Sequence, residues 1–282
     1  PGAGAAGAEK GGDGMLKDIT LGQFFPGDTV AHRLDPRTKI LLVVLYIVAL
    51  FCAKSLLAYG ILAAVLAVCV RISRVGIKSL VRGLKPVVFI IVFTGILNLF
   101  FTPGEHILAE LGFLRISAEG LQNAVFMVLR IMLLIMGTFL MTYTTSPISL
   151  TDGLERLLRP LKKVGFPVHE LSMIMSIALR FIPTLIQETD KIISAQKARG
   201  ADFDTGGLVQ KAKALIPILI PLFISSFRRA EELAVAMECR CYHGDDGRTS
   251  LRQLVMHGRD WGLVVFSLAL CAGIVALRVL GL

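Results

Sequence analysis

Residues 40–70 read ILLVVLYIVALFCAKSLLAYGILAAVLAVCV. Two apolar runs, 40–53 and 56–70, flank a single charge, Lys54. Each run has about 15 residues, short of the roughly 20 that a spanning helix needs. As one helix the stretch would reach about 45 Å, too long for a single crossing of a hydrocarbon core about 30 Å thick. The reading is a hairpin of two short or tilted helices, with Lys54 snorkelling at its tip. The fold class follows from that hairpin: a helical protein that crosses the membrane several times.

The rest of the chain agrees. Of its 282 residues, 54% are hydrophobic, more than an ordinary soluble domain carries. Further apolar runs occupy 87–101 behind Pro86, 121–143, and 261–282 with Trp261 as an interfacial anchor. The expected fold class is therefore all-α: a polytopic helical membrane protein with about five transmembrane helices and a cytoplasmic coupling domain of long amphipathic helices. The expected organisation is residues 1–14 as a disordered extension or artefact ahead of Met15, and 15–39 as a cytoplasmic segment. Transmembrane helices 1–4 then fill 40–143, the coupling helices 144–259, and the last crossing 260–282.

Charge orients this set. Five positive residues, Arg71, Arg74, Lys78, Arg82 and Lys85, lie between the second and third runs. Arg33, Arg37 and Lys39 precede the first run, while Glu105, Glu110 and Glu119 dominate the loop before residue 121. Positive loops stay on the cytoplasmic side, so the N-terminus and 71–85 are expected there. Arg130 interrupts the fourth run. It is a functional pointer, a residue nearer one end of the crossing than the run suggests, or a cation paired with a backbone carbonyl.

Between residues 144 and 260 the pattern changes. Thr151-Asp152 can cap a short helix with Leu154, Leu157, Leu158 and Leu161 on one face and Arg156, Arg159, Lys162 and Lys163 on the other. Residues 165–167, Gly-Phe-Pro, break it. From 168 to 199 apolar residues recur at near-helical spacing, interrupted by Glu170, Arg180, Gln187, Glu188 and Lys191. Arg180 at the centre of a crossing would cost about 2.5–3.5 kcal/mol, so the stretch reads as an amphipathic helix on the cytoplasmic side. A similar stretch covers 208–242, where Pro217 and Pro221 are expected to bend the apolar core. Both end in an arginine between small residues: Ala198-Arg199-Gly200 and Cys239-Arg240-Cys241. An arginine held at a helix end can reach into a cleft on a partner, so two of them form a docking device.

Several chemistries are excluded. No Gly-Lys pair exists, hence no phosphate-binding loop of the GxxxxGK[ST] type. His169-Glu170 begins like a zinc-protease motif, but position 173 is Met. Cys239, Cys241 and His243 offer too few ligands at too tight a spacing for a metal. Five cysteines at irregular spacing give no disulfide framework. Asp245-Asp246, between glycines, reads as a polar turn. The net charge of +9 has no basic aromatic module beside it, so no nucleic acid is expected.

Before the first run stands Asp35-Pro36-Arg37, in which Asp35 can cap the following helix. Together with residues 150–154 (Leu-Thr-Asp-Gly-Leu), 159–161 (Arg-Pro-Leu), 180–183 (Arg-Phe-Ile-Pro) and the two arginine motifs, it resembles the transmembrane T component of energy-coupling factor importers for vitamins and metals. The resemblance covers nearly all of 15–282. The family pattern at the second motif is Ala-Arg-Gly; here it is Cys-Arg-Cys.

The resemblance implies a non-catalytic coupling subunit in a bacterial plasma membrane. Its expected partners are two ABC ATPase subunits, which bind ATP and Mg, and an exchangeable S component that captures the substrate. It assigns ATPase docking to Ala198, Arg199, Gly200, Cys239, Arg240 and Cys241. S-component contact is expected from Leu171, Ile174, Met175, Ala178, Phe181, Ile182, Ile216, Ile220 and Phe223. The alternatives are a conventional ABC permease with its own substrate path, a membrane-embedded enzyme, and a structural scaffold. The permease has one coupling loop per chain, and the enzyme needs convergent polar groups that these runs lack.

Overall fold

The computed structural model describes residues 25, 27–101, 107–111, 114–201, 203, 207–244 and 254–280. Residues 1–14, Met15 and Asp245-Asp246 lie outside them. The chain divides into two compact units, one of 22–164 with 252–282 and the other centred on 165–251.

The first unit opens with a one-turn helix, α1 (Val30–Arg33), and then α2 (Pro36–Cys52). Asp35 caps α2 by accepting the amide of Arg37 at 2.9 Å, and Pro36 occupies the first turn, where its missing N–H costs nothing. After Lys54, Ser55 caps α3 (Leu56–Ser73) through the Leu57 amide. The hairpin read from residues 40–70 is therefore present.

Arg130 closes that hairpin. Its guanidinium donates to the Ala53 carbonyl at 3.2 Å and to the Tyr59 hydroxyl at 2.8 and 3.0 Å, and it lies 5.6 Å from the Phe51 ring centre. Ala53 is the C-cap of α2, where carbonyls lack intrahelical partners and the helix dipole favours a cation. Of the readings of Arg130, pairing with a backbone carbonyl is seen in the structure.

The basic segment 71–85 is not a plain loop. It folds α4 (Ile77–Leu84), whose Leu80 and Leu84 are buried, and a 3₁₀ turn leads into α5 (Val88–Phe101). The acidic loop likewise carries an antiparallel pair, β1 (Ile107–Leu111) and β2 (Leu114–Ser117), in register Glu110 to Arg115 and Leu111 to Leu114. Ser117 caps α6 (Ala118–Thr144). The following helix α7 (Pro147–Leu158) starts earlier than expected. Ser146 is its N-cap, and Thr151 and Asp152 sit inside it. Pro147 in the first turn explains the earlier start.

The second unit holds α8 (Val168–Ala198) and α9 (Leu208–Cys239). Pro183, Pro217 and Pro221 lie within these helices without ending them. The chain then returns to the first unit as α10 (Gly258–Val279).

In the first unit α2 lies among α3, α6, α7 and α10. Leu50, Tyr59, Leu62, Leu66, Leu133 and Ile274 are its buried core. α7 packs on α2 because Gly153 lets the backbones meet: a Cβ there would stand 2.9 Å from that of Pro36. The stretch of the second unit that holds α8 and α9 begins at Gly165.

Among the described residues, five helical stretches are long and apolar enough to cross a membrane: α3, residues 77–100, α6, α8 and α10. The number matches the sequence reading but the set does not. α2, with 17 residues, reaches only about 26 Å, whereas α8 qualifies through its first half despite Arg180.

Candidate functional site

Two places concentrate the residues singled out in the sequence. The first is a buried polar knot at one end of the first unit. Asp35 gives its side chain to the α2 N-terminus, and its own amide donates to Asp260 Oδ1 at 3.2 Å. Asp260 Oδ2 accepts the His257 amide at 2.8 Å, which caps α10. Arg37 donates to the Leu254 carbonyl at 3.0 Å. Lys39 donates to the Thr144 carbonyl at 2.8 Å and so caps the last turn of α6. Asp35, Pro36 and Arg37 thus fasten the start of α2 to the start of α10, and Lys39 ties in the end of α6. Asp260, Lys39 and Thr144 are equal members that the sequence reading missed. The only signal was an acidic residue in the first turn after His257.

The second place is the α8–α9 pair. Contacts run in opposite order along the two helices: Gln196 donates to the Pro217 carbonyl, Glu188 accepts from Ser225 and Arg229, and Arg229 covers the Phe181 ring at 5.9 Å. The helices are therefore antiparallel. Glu188 and Arg229 pair at 2.8 Å and are about a third exposed or less. The sequence pattern marked Glu188 only as a break in an apolar face and gave no sign of this clasp.

Both helices end in the same backbone turn. Behind α8, Gly200 N–H donates to the Lys197 carbonyl and Ala201 N–H to that of Gln196. Behind α9, Cys241 N–H donates to the Glu238 carbonyl and Tyr242 N–H to that of Met237. Each is a Schellman motif, with the arginine as C-cap and the next residue left-handed. The φ values are +85° at Gly200 and +58° at Cys241.

The position after the arginine is thus selected by backbone conformation as much as by side-chain size. Ala198, Arg199, Gly200, Cys239, Arg240 and Cys241 are all exposed. No described residue pairs with either guanidinium.

The clasp stands midway. Arg199 is eleven residues beyond Glu188, and Arg240 is eleven beyond Arg229. At 1.5 Å per residue each lies about 16 Å from the clasp, in opposite directions, which sets them roughly 33 Å apart along the pair.

The apolar residues assigned to partner contact separate into two sets. Leu171, Ile174, Met175 and Ala178, at i, i+3, i+4 and i+7, are exposed on one face of α8. Ile216, Ile220 and Phe223 are exposed on α9 and are extended by Leu219, Ile224 and Phe227. Phe181 and Ile182 are half-buried, and Phe181 is turned to Arg229. Among the described residues no group of three metal-ligating side chains occurs.

A family model described as "Cobalt transport protein" (CbiQ) matches residues 27–251. The "Energy-coupling factor transporter transmembrane protein EcfT" of Clostridium kluyveri is 53% identical over 259 residues, 92% of this chain and 94% of its own length. The protein of that name from Thermosediminibacter oceani is 50% identical, covering 93% of this chain and 99% of that one. The Bacillus subtilis protein of that name is 46% identical, covering 94% and 100%. The chain, a multi-pass membrane transport protein by its apolar helices, belongs to the EcfT family of energy-coupling factor transporter transmembrane proteins.

Proposed function

We propose that this chain couples two ATPase subunits to a substrate-capturing S component. The carrying observation is the pair of identical helix ends: Arg199 and Arg240, exposed, each set by a Schellman turn, at equal distances from the Glu188–Arg229 clasp. Two equivalent cations roughly 33 Å apart suit a partner with two equivalent acidic clefts, as two copies or near-copies of an ATPase would present. The six residues of the two motifs form the docking ends. ATP and Mg are held by those partners and no cofactor by this chain. The N-terminus and α8–α9 face the cytoplasm, following the charge of 71–85.

The exposed stripes supply the other half. Leu171, Ile174, Met175 and Ala178 on α8 and Ile216, Ile220 and Phe223 on α9 form an apolar platform larger than a solvated helix pair needs. Phe181 and Ile182 hold the helices beneath it. The S component rests there, and movement of the ATPases carries the helices with their arginines and tilts it. Such coupling needs different contacts in two states. A permease with its own path is the weaker reading, since one coupling helix end would serve it.

The test is co-purification of the complex from mild detergent, with uptake measured in cells. Truncating one side of a buried charge pair costs about 2–5 kcal/mol. Arg199→Ala with Arg240→Ala is expected to release the ATPases or abolish uptake. Ile174→Glu or Ile220→Glu is expected to lose the S component and keep the ATPases. Unchanged assembly and uptake in the double variant, or loss of the ATPases alone from the platform variants, overturns the reading.

A further inference from the structure

The first unit contains a crevice that the coupling role does not use. It lies between α3 and α10, floored by α2 and α6 and closed at one end by α1. Its volume is about 260 Å³. Cys69 and Ile72 of α3, Phe266 of α10 and Val30 of α1 line it and are exposed, so it opens onto the outer surface of the helices. Tyr46 and Gly137 form part of its floor. Its walls are almost wholly apolar. The polar residues of its floor are Lys39, which donates to the Thr144 carbonyl, Thr144 itself, and Tyr46, whose hydroxyl is buried and without a hydrogen-bond partner among the described residues. A buried hydroxyl with no acceptor is costly.

Past Val30 and Ile72 the crevice adjoins a second cleft of a different character. Thr29, Arg74, Gly76 and Ser79 line it. Arg74 is the C-cap of α3, exposed, and no described residue pairs with its guanidinium. Gly76 is the N-cap of α4, which has no side-chain cap; Ser79 N–H is taken by the Gly76 carbonyl, and the amides of Ile77 and Lys78 have no intrahelical acceptor at this end of the helix, beside Arg74. Asp28 also borders it; its carboxylate is almost fully exposed to solvent and stands 4.0 Å from the Arg33 guanidinium. His32 has both ring nitrogens engaged, with Thr29 and with the Phe25 carbonyl. The cleft therefore offers an unpaired cation and an uncapped helix N-terminus, which together recognise an anion.

The geometry points to a bound anionic glycerophospholipid, with one acyl chain in the α3–α10 crevice and its phosphate between Arg74 and the start of α4. The medium argues for this occupant. The crevice opens sideways from a membrane protein, where hydrocarbon chains are the solvent. Loop charge puts the cleft in the cytoplasmic leaflet, where anionic lipids concentrate. Cys69 and Arg74 are five residues apart, about 7 Å along α3, so the crevice meets the cleft within the length of a lipid's head-and-glycerol region. This inference does not depend on the coupling role.

The test uses the full purified chain, delipidated in mild detergent and mixed with phosphatidylglycerol or phosphatidylcholine, with retained lipid counted by native mass spectrometry. One phosphatidylglycerol per chain is expected, at least tenfold above phosphatidylcholine. Ser267→Phe and Cys69→Trp narrow the crevice and are expected to lower retention of both lipids at least fivefold. Arg74→Gln, at an exposed position whose guanidinium no described residue engages, is expected to remove the preference for phosphatidylglycerol while chain-dependent retention remains. If the crevice variants unfold, the Arg74→Gln result decides alone. Equal retention of the two lipids by the wild-type chain overturns the proposal. So does equal competition by glycerol phosphate, which would mark an anion site without a chain site. An unchanged preference in Arg74→Gln does the same.

Discussion

Arg199 and Arg240 close their helices with one backbone turn built on different residues. At Gly200 the left-handed conformation is free of steric cost, and an added Cβ would meet nothing within 4 Å. Gly200→Ala therefore tests backbone strain alone and is expected to destabilise the end of α8 by about 1 kcal/mol. At Cys241 the strain is already present, so Cys241→Gly is expected to gain a few tenths to about 1 kcal/mol. Amide exchange in the last turns of α8 and α9 reads both, with protection falling in the first variant and rising in the second. Arg130 presents the opposite case, a charge whose value lies in what it satisfies. Arg130→Met removes the charged donor from both the Ala53 carbonyl and the Tyr59 hydroxyl, leaving them only their mutual 3.3 Å hydrogen bond, and is expected to cost about 1–3 kcal/mol. Thermal unfolding in detergent should show it, and Arg130→Lys should recover only part, because an ammonium lacks the planar fork that reaches both groups.

Among elements, the α8–α9 pair depends on one polar contact set within apolar surfaces. The Glu188–Arg229 pair is partly exposed, so its own strength is modest, about 1 kcal/mol at most. Its larger effect is on register: sliding one helix by a turn would bury Glu188 against apolar neighbours of α9. A double-mutant cycle with Glu188→Gln and Arg229→Met should return a coupling near that figure. A disulfide between cysteines placed at Gln196 and Pro217 should form readily in the wild type and more slowly in the double variant. Equal cross-linking rates would show that apolar packing alone sets the register. The periodicity of 168–199 and 208–242 predicted both helices nearly to their ends, because amphipathic spacing is a local property. It gave no sign of the clasp, because nothing in an isolated Glu or Arg tells which residue will face it.

For the whole molecule, loop charge makes a prediction that helix lengths leave open. In a Cys-free background, Lys54→Cys should label from outside and Lys78→Cys from inside. Labels at both positions from the same side would exclude α3 as a crossing. Cysteines placed at Gln187 should label from the cytoplasm if α8 lies outside the bilayer, and labelling from the outside only would make α8 a true span. The EcfT family assignment is indifferent to that outcome; the coupling mechanism is not, since both arginine ends must meet the ATPases on one side.

The sequence by itself determined the helical membrane class, the hairpin at residues 40–70 and the two arginine-ended helices. All of these rest on composition, periodicity and capping within a few turns of chain. Tertiary structure alone decided what the singled-out residues touch. It brought Asp260, 225 residues away, to the Asp35 amide, and Lys39 to the end of α6. It turned Phe181 toward Arg229 and left Ile174 facing outward. It also folded α4 inside a basic stretch whose charges read as loop, because Leu80 and Leu84 found a core to enter. The physical reason is the same throughout. Local spacing fixes which face of a helix is apolar, whereas the partner of that face, and of each buried polar group, is chosen by packing over long sequence separations.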